Sequence, residues 1–318
     1  MKEIPNHIGL ALGSGAARGM AHIGVLKALQ EKGIKPDFIA GTSMGAVVGA
    51  FYAKDGSIED IESVVLGLNW AKLAGLIDPG FYFLREGLIN GSRIIDTIHA
   101  VLGDVTFEEL KVPFVCVATN FETGTERVFS KGKVIDAIRA SISTPGLFAP
   151  VKIEGDYYID GGVVNPLPIS VVRKYFKGHV VAIDVSRDFQ KVYRRKKENS
   201  PQERKGSFQH PYLKKINTKL DEFVQENKAF LNPILESAEK IKNNIEEMRK
   251  RITDRPPTAI SVILKTMVLM EYQISQASLR DADIVIKPDV DDIDLLEFHR
   301  AEEAIDAGVK SIEAFRAS

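Results

Sequence analysis

Ser43 sits in Gly41-Thr42-Ser43-Met44-Gly45, between the short apolar run Phe38-Ile39-Ala40 and a helix-like stretch, Met44–Lys54. Strand, sharp turn and helix, in that order, are what a nucleophile elbow requires. The turn is so tight that the residues two away from the serine must have almost no side chain, hence glycine at 41 and 45. A serine hydroxyl is a weak nucleophile at neutral pH and needs a base, and the carbonyl oxygen it attacks needs hydrogen-bond donors. For the donors, Gly13-Ser14-Gly15-Ala16-Ala17-Arg18-Gly19 offers several backbone N–H groups and one guanidinium. Such a loop also occurs in dinucleotide sites. That reading fits less well, because the next strand runs into the serine elbow where a Rossmann fold would carry its ribose-binding acid.

For the base, Asp160 closes the strand-like Tyr157-Tyr158-Ile159 and is followed by Gly161-Gly162. A strand end with open backbone suits a reactive carboxylate, although an Asp-Gly turn is also a common plain feature. A histidine base would complete Ser–Asp–His in chain order. The six histidines are His7, His22, His99, His179, His210 and His299, and none stands in a local context that marks it as catalytic. The residues alone leave a serine–aspartate dyad and a triad with an unmarked histidine both open. Tyr157, Tyr158 and Leu147-Phe148-Ala149-Pro150 would suit an acyl chain and equally suit a plain core.

The elements that must position these groups follow from periodicity. Ile8, Leu10 and Leu12 form a strand leading into the glycine loop. Met20–Glu31 carries apolar residues at helical spacing, with Gly33 as a stop. Further strands are expected at Phe114–Ala118, Val151–Ile153, Tyr157–Asp160, His179–Val185 and Ile284–Lys287. Helices are expected at Ile58–Leu68, Ser92–Leu102, Val134–Ser141, Leu167–Tyr175, Thr258–Leu279 and Leu295–Phe315. Alternating strands and helices predict an α/β fold with three layers, a mainly parallel sheet with helices on both faces. The helix after the elbow carries Gly45, Ala46, Gly49, Ala50 and Ala53 on one small face, so its N-terminus can approach the site closely.

Residues 187–257 break the pattern. From Arg187 to Lys215 there are ten Lys or Arg against three Asp or Glu, with Pro201, Gly206 and Pro211, which predicts a basic linker. From Leu220 to Ile252 apolar residues step by four and three, interrupted at Asn232-Pro233, which predicts two linked amphipathic helices. The domains expected are therefore a catalytic one, 1–186 with 258–318, and a helical insertion, 187–257. Packing on its own core, pairing with a second copy as a homodimer, and peripheral contact with a membrane surface are all open roles for the insertion.

Composition bounds the rest. A net charge of −1 over 318 residues argues against a dedicated nucleic-acid binder. One cysteine, Cys116, cannot form an internal disulfide and reads as a buried strand residue. Met1–His7 has no apolar segment of signal-peptide type, and Ala259–Met270, interrupted by Lys265, falls short of a bilayer span of about 20 residues. The expected location is cytoplasmic, with the inner face of the membrane as an alternative. Asp291, Asp292 and Asp294 read as an acidic surface turn rather than a calcium site.

Taken in order, Leu10–Gly19, His22-Ile23-Gly24-Val25-Leu26, Gly41–Gly45 and Asp160-Gly161-Gly162 resemble the bacterial patatin-like phospholipase family. Ala140–Gly146 and Asn165-Pro166-Leu167-Pro168 support the resemblance, which runs from about residue 7 to 185. The resemblance implies acyl hydrolysis of phospholipid, lysophospholipid or neutral-lipid esters by a Ser–Asp dyad, through an acyl-enzyme, with no histidine, metal or cofactor. It implies Ser43 as nucleophile, Asp160 as base, and an oxyanion hole from the backbone of Gly15 and Ala16. Arg18 would hold the loop and lend positive charge, with Ser14, Gly19, Gly41, Gly45, Gly161 and Gly162 shaping the turns. The family loop commonly reads Gly-Gly-Gly-x-Arg-Gly, so alanine at 16 costs about 1 kcal/mol if the hole needs positive φ there. An acyltransferase on the same dyad and a non-catalytic adaptor acting through 187–257 are the alternatives.

Overall fold

The computed structural model describes residues 4–67, 91–198 and 258–317. Its chain contacts divide it into two compact units, Met1–Val192 with Ile263–Ser318, and Tyr193–Val262. In the first unit, strands β1 (Ile8–Leu12), β2 (Phe38–Thr42), β3 (Phe114–Asn120), β4 (Glu126–Phe129), β5 (Val151–Ile153), β6 (Asp156–Asp160), β7 (His179–Ile183) and β8 (Ile284–Ile286) form one sheet. The strand order is β5-β6-β3-β2-β1-β7-β8, with β4 paired to β3. Pairs from β3 through β2, β1 and β7 to β8 are parallel, and β4, β5 and β6 add an antiparallel margin. The central strands read as unbroken apolar runs because both faces are covered, as a parallel sheet requires.

Alternation along those strands explains the layers. Leu10, Leu12, Ile39, Cys116, Val181 and Ile183 point into one core, which they share with helices α1 (Ala21–Glu31) and α2 (Met44–Asp55). Ala11, Ala40, Val115, Val117, Val180 and Ala182 point the other way, into a core shared with helix α6 (Ile169–Tyr175). The remaining helices are α3 (Glu59–Leu66), α4 (Ser92–Leu102), α5 (Val134–Ser141), α7 (Phe189–Glu198), α8 (Ala259–Ser278) and α9 (Ala301–Ala317). Each fully buried Leu or Ile stabilises by about 1.5–3 kcal/mol, so the central strands are the rigid part of the scaffold. α9 lies against α1 with the backbones nearly touching. A Cβ on Gly24 would fall 1.9 Å from the Ile305 carbonyl oxygen, so only glycine fits.

Four expectations need correction. β4 is an additional strand without a sequence signal, because its exposed Glu126 and Arg127 carry no apolar alternation. The last helix starts at Ala301 rather than Leu295, because Phe298–Arg300 forms a separate 3-10 turn. β7 ends at Ile183 rather than Val185. The basic stretch from Arg187 is not all linker, since Phe189–Glu198 is helical. The Asp188 carboxylate accepts the N–H groups of Gln190 and Lys191, a start signal that the run of cations obscured. The apolar stripe at 220–252 lies outside the described residues. Among the described residues no helix is long and apolar enough to cross a membrane.

Candidate active site

The site forms where β1 and β2 end, the place at which parallel sheets generally receive ligands. β2 delivers Thr42 and then Ser43, whose backbone is held at φ 55 and ψ −120 before α2 begins at Met44. A serine in that region is strained by roughly 1–3 kcal/mol, and the surroundings over-determine it. A Cβ on Gly41 would lie 2.5 Å from the Gly45 carbonyl oxygen, and one on Gly45 would lie 2.2 Å from the Leu12 carbonyl oxygen. The Ser43 N–H donates to Ser141 Oγ at 2.8 Å, and Ser141 Oγ donates to the Val117 carbonyl at 2.6 Å. Thr42 Oγ1 donates to the Asn165 carbonyl at 2.9 Å, tying the elbow to the Asn165-Pro166 segment.

Ser43 Oγ donates directly to Asp160 Oδ2 at 2.9 Å, with both residues buried. Asp160 also accepts Thr144 Oγ1 at 2.8 Å on the same oxygen and the Gly162 N–H at 2.8 Å on Oδ1. Burial pushes the Asp160 carboxyl above the usual carboxylate range, while the donors from Gly162, Thr144 and Ser43 pull it back. The result is a carboxylate more basic than one in water, held in one orientation by three donors.

Facing Ser43 is the loop after β1. The N–H groups of Gly13, Ser14, Ala17 and Arg18 are engaged with the carbonyls of Ile183, Pro166, Leu295 and Gly15. Those of Gly15 and Ala16 have no partner among the described residues, and Ala16 lines the crevice with Ser43. Ala16 has φ 46, so the positive φ that a glycine would favour is carried here by alanine. Arg18 is 1% exposed. Its Nε donates to the Val185 carbonyl at 3.1 Å and its Nη1 to the Ile293 carbonyl at 3.4 Å. It pins the loop to the end of β7 and to the C-terminal segment. Burial lowers its pKa to about 10, which still leaves it charged at neutral pH.

No histidine lines this crevice among the described residues, and His210 lies outside them. His7 pairs with Asp37, and His99 with Asp104. His22 is fully buried, and its ring nitrogen Nε2 donates to the Gly13 carbonyl at 2.8 Å, which anchors the loop from below. Burial drives the His22 pKa down to about 4, so the ring is neutral. Cys116 is buried and donates to the Ala137 carbonyl. Burial pushes its thiol up to about 12, which leaves it unreactive. Asp291 pairs with Lys191 and Asp294 with Arg187, so the acidic turn is partly neutralised. Ser143 spends its hydroxyl on the Arg139 carbonyl, and its own carbonyl accepts the Asp160 N–H.

Three contributors escaped the sequence reading. Ser141 and Thr144 sit in the Ala140–Gly146 stretch, where nothing local distinguishes these two hydroxyls from ordinary ones. Glu271 is carried by α8, together with Leu264, Met267 and Val268 of the crevice wall. The only local signal for Glu271 was a lone acid at the end of an apolar helical run.

The chain is similar to several known proteins. A family model described as patatin-like phospholipase matches residues 10–173. An uncharacterized NTE family protein of Mycobacterium tuberculosis is 37% identical over 56% of this chain and 49% of its own length. Neuropathy target esterase sws of Drosophila melanogaster is 35% identical over 57% of this chain and 13% of its own. Lysophospholipase NTE1 of Saccharomyces cerevisiae is 35% identical over 56% of this chain and 11% of its own. The chain thus spans about half, or far less, of the length of these relatives. VipD from Legionella pneumophila superposes with a TM-score of 0.39 and 17% identity, over 60% of this chain and 52% of its own.

Proposed function

The chain belongs to the patatin-like phospholipase family, and from that premise we propose that it is a serine acyl hydrolase of lipid carboxylic esters, working through Ser43 and Asp160. The observation that carries the reading is the direct 2.9 Å donation from Ser43 Oγ to Asp160 Oδ2 in a buried crevice. The names of the relatives support a lipid ester as substrate, since one is a lysophospholipase and another an esterase.

Ser43 Oγ attacks the ester carbonyl while Asp160 takes its proton, and the N–H groups of Gly15 and Ala16 receive the charge on the carbonyl oxygen. The tetrahedral adduct collapses, and the alcohol leaves with the proton from Asp160. An acyl ester on Ser43 remains. Water then attacks that ester and gives its proton to Asp160, and Ser43 recovers the proton as the fatty acid departs. Two features support an aspartate in this work. Burial makes it more basic than a free carboxylate, and Thr144 and Gly162 fix its orientation without a third residue in relay. Each oxyanion donor contributes roughly 10²–10³ in rate.

The reading is tested by incubating the protein with vesicles of lysophosphatidylcholine, phosphatidylcholine or triacylglycerol and measuring both products. Fatty acid and alcohol released in equal amounts by wild type, and by neither Ser43→Ala nor Asp160→Asn, support it. Acyl transfer that requires an added alcohol acceptor favours the acyltransferase alternative. Absence of both products overturns the enzymatic reading.

A further inference from the structure

The crevice above Ser43 is nearly shut. Its cavity is only about 20 Å³, room for about one water, whereas sites for small organic ligands generally span roughly 300 Å³ or more. The wall that closes it is α8. Leu264, Met267, Val268 and Glu271 are spaced to fall on one helical face, and they line the cavity with Ser43 and Asp160. Three of the four are apolar. The fourth ends in a carboxyl wedged between the loop after β1 and the turn after Asp160. Ser14 Oγ donates to Glu271 Oε2 at 3.4 Å, and Glu271 Oε1 packs so closely over Gly162 that a Cβ there would lie 2.5 Å from it. Among the described residues, this helix leaves too little room beside Ser43 for an ester.

We propose that Glu271 is a functional residue of this site: its neutral carboxyl latches α8 over the dyad, and its ionisation releases the helix and admits the ester. The proposal rests on the hydrolase reading for its purpose, although not for its mechanics. Two charged groups act on the carboxyl across the packed elements. Asp160, at the end of β6, opposes its ionisation, and Arg18, in the 3-10 turn Ala16–Met20, favours it. Arg18 donates to the carbonyls of Val185 and Ile293, so among the described residues Glu271 has no direct cationic partner. On its own helix, the neighbouring Tyr272 stands beside Lys287. Burial, and then Asp160, push the Glu271 carboxyl up to about 8 from its ordinary 4.5, while Arg18 and the Ser14 hydroxyl pull less strongly the other way.

The sign follows from linkage. A carboxyl with a raised pKa in the shut state favours that state fully below its open-state pKa of 4.5 and loses the preference as pH rises to about 8. The shut-to-open ratio therefore falls with rising pH over that range. The same motion exposes Leu264, Met267 and Val268, an apolar wall against which an acyl chain could lie.

Hydrogen exchange of the α8 amides in the full chain, read by mass spectrometry and corrected for intrinsic exchange chemistry, tests the latch. Wild type is expected to lose protection around residues 264–271 by at least tenfold between pH 5.5 and 8.5. Glu271→Gln, which keeps the acceptor without the charge, is expected to hold protection flat, and Glu271→Met provides a second uncharged variant if the first folds poorly. Flat protection in wild type, or an unchanged pH dependence in both variants, overturns the proposal. The two readings fail separately: pH-dependent protection without ester turnover removes the hydrolase and keeps the latch, whereas turnover with flat protection removes the latch alone.

Discussion

Thr144→Val is the most informative single change to the proposed base. Valine keeps the shape of threonine and removes only the hydroxyl that donates to Asp160 Oδ2 at 2.8 Å. That bond strengthens as Asp160 becomes ionised, and a hydrogen bond to a charged group contributes about 1.5–3 kcal/mol. At 1.36 kcal/mol per pKa unit, its loss disfavours the carboxylate by roughly one to two units. Burial has already pushed the carboxyl upward, so the shift adds to an existing one. The base works only when ionised, so in a Glu271→Gln background, where α8 no longer titrates, the acid limb of kcat/KM for a short nitrophenyl ester should move to higher pH by about one to two units. The plateau above it should change by less than about tenfold, because Ser43 and Gly162 still hold the carboxylate. An unmoved acid limb with a lowered plateau would refute the reasoning, since Thr144 would then shape the crevice without tuning the base.

Other consequences concern the scaffold of the site. Gly45→Ala places a methyl 2.2 Å from the Leu12 carbonyl oxygen, so the variant should fail to fold, or lose at least about 3 kcal/mol in denaturant titration. Ala16 already sits at φ 46. Ala16→Gly should therefore keep kcat and change stability by less than about 1 kcal/mol, while Ala16→Val should lower kcat by about tenfold or more. His22 has a folded pKa near 4, below its ordinary 6.5. Its contribution to stability is full above pH 6.5 and falls by on the order of 3 kcal/mol by pH 4, and comparing the urea midpoints of wild type and His22→Asn across that window should remove this slope.

What was legible in the sequence was local. The run from Ile8 to Asp55 declared itself because each element carries its own signal: apolar strand, glycine loop, helix, strand, elbow and small-faced helix. Gly41 and Gly45 were required by the turn itself, and the close contacts in the structure give the reason. Asp160 could be nominated as a strand-end carboxylate, but only the register of β6 against β3, with Asp160 opposite Ala118, carries it to Ser43. What escaped were groups whose importance is tertiary. Thr144 and Ser141 look like ordinary hydroxyls after a helix, and Glu271 meets Ser14 across most of the chain. His22 belonged to a quoted motif without a role, and its hold on the Gly13 carbonyl depends on how α1 packs under the loop. For that reason its removal probes the loop before it probes any base.

The most direct measurement is intact-mass and peptide mapping after a fluorophosphonate probe is added to wild type, Ser43→Ala and Asp160→Asn, with folding checked by circular dichroism. The account predicts a single adduct on Ser43 in wild type, none in Ser43→Ala, and labelling slowed by roughly 10²–10⁴ in Asp160→Asn, the range expected for loss of a general base. A folded Ser43→Ala protein that still takes the probe, or an Asp160→Asn protein that labels at the wild-type rate, would contradict it.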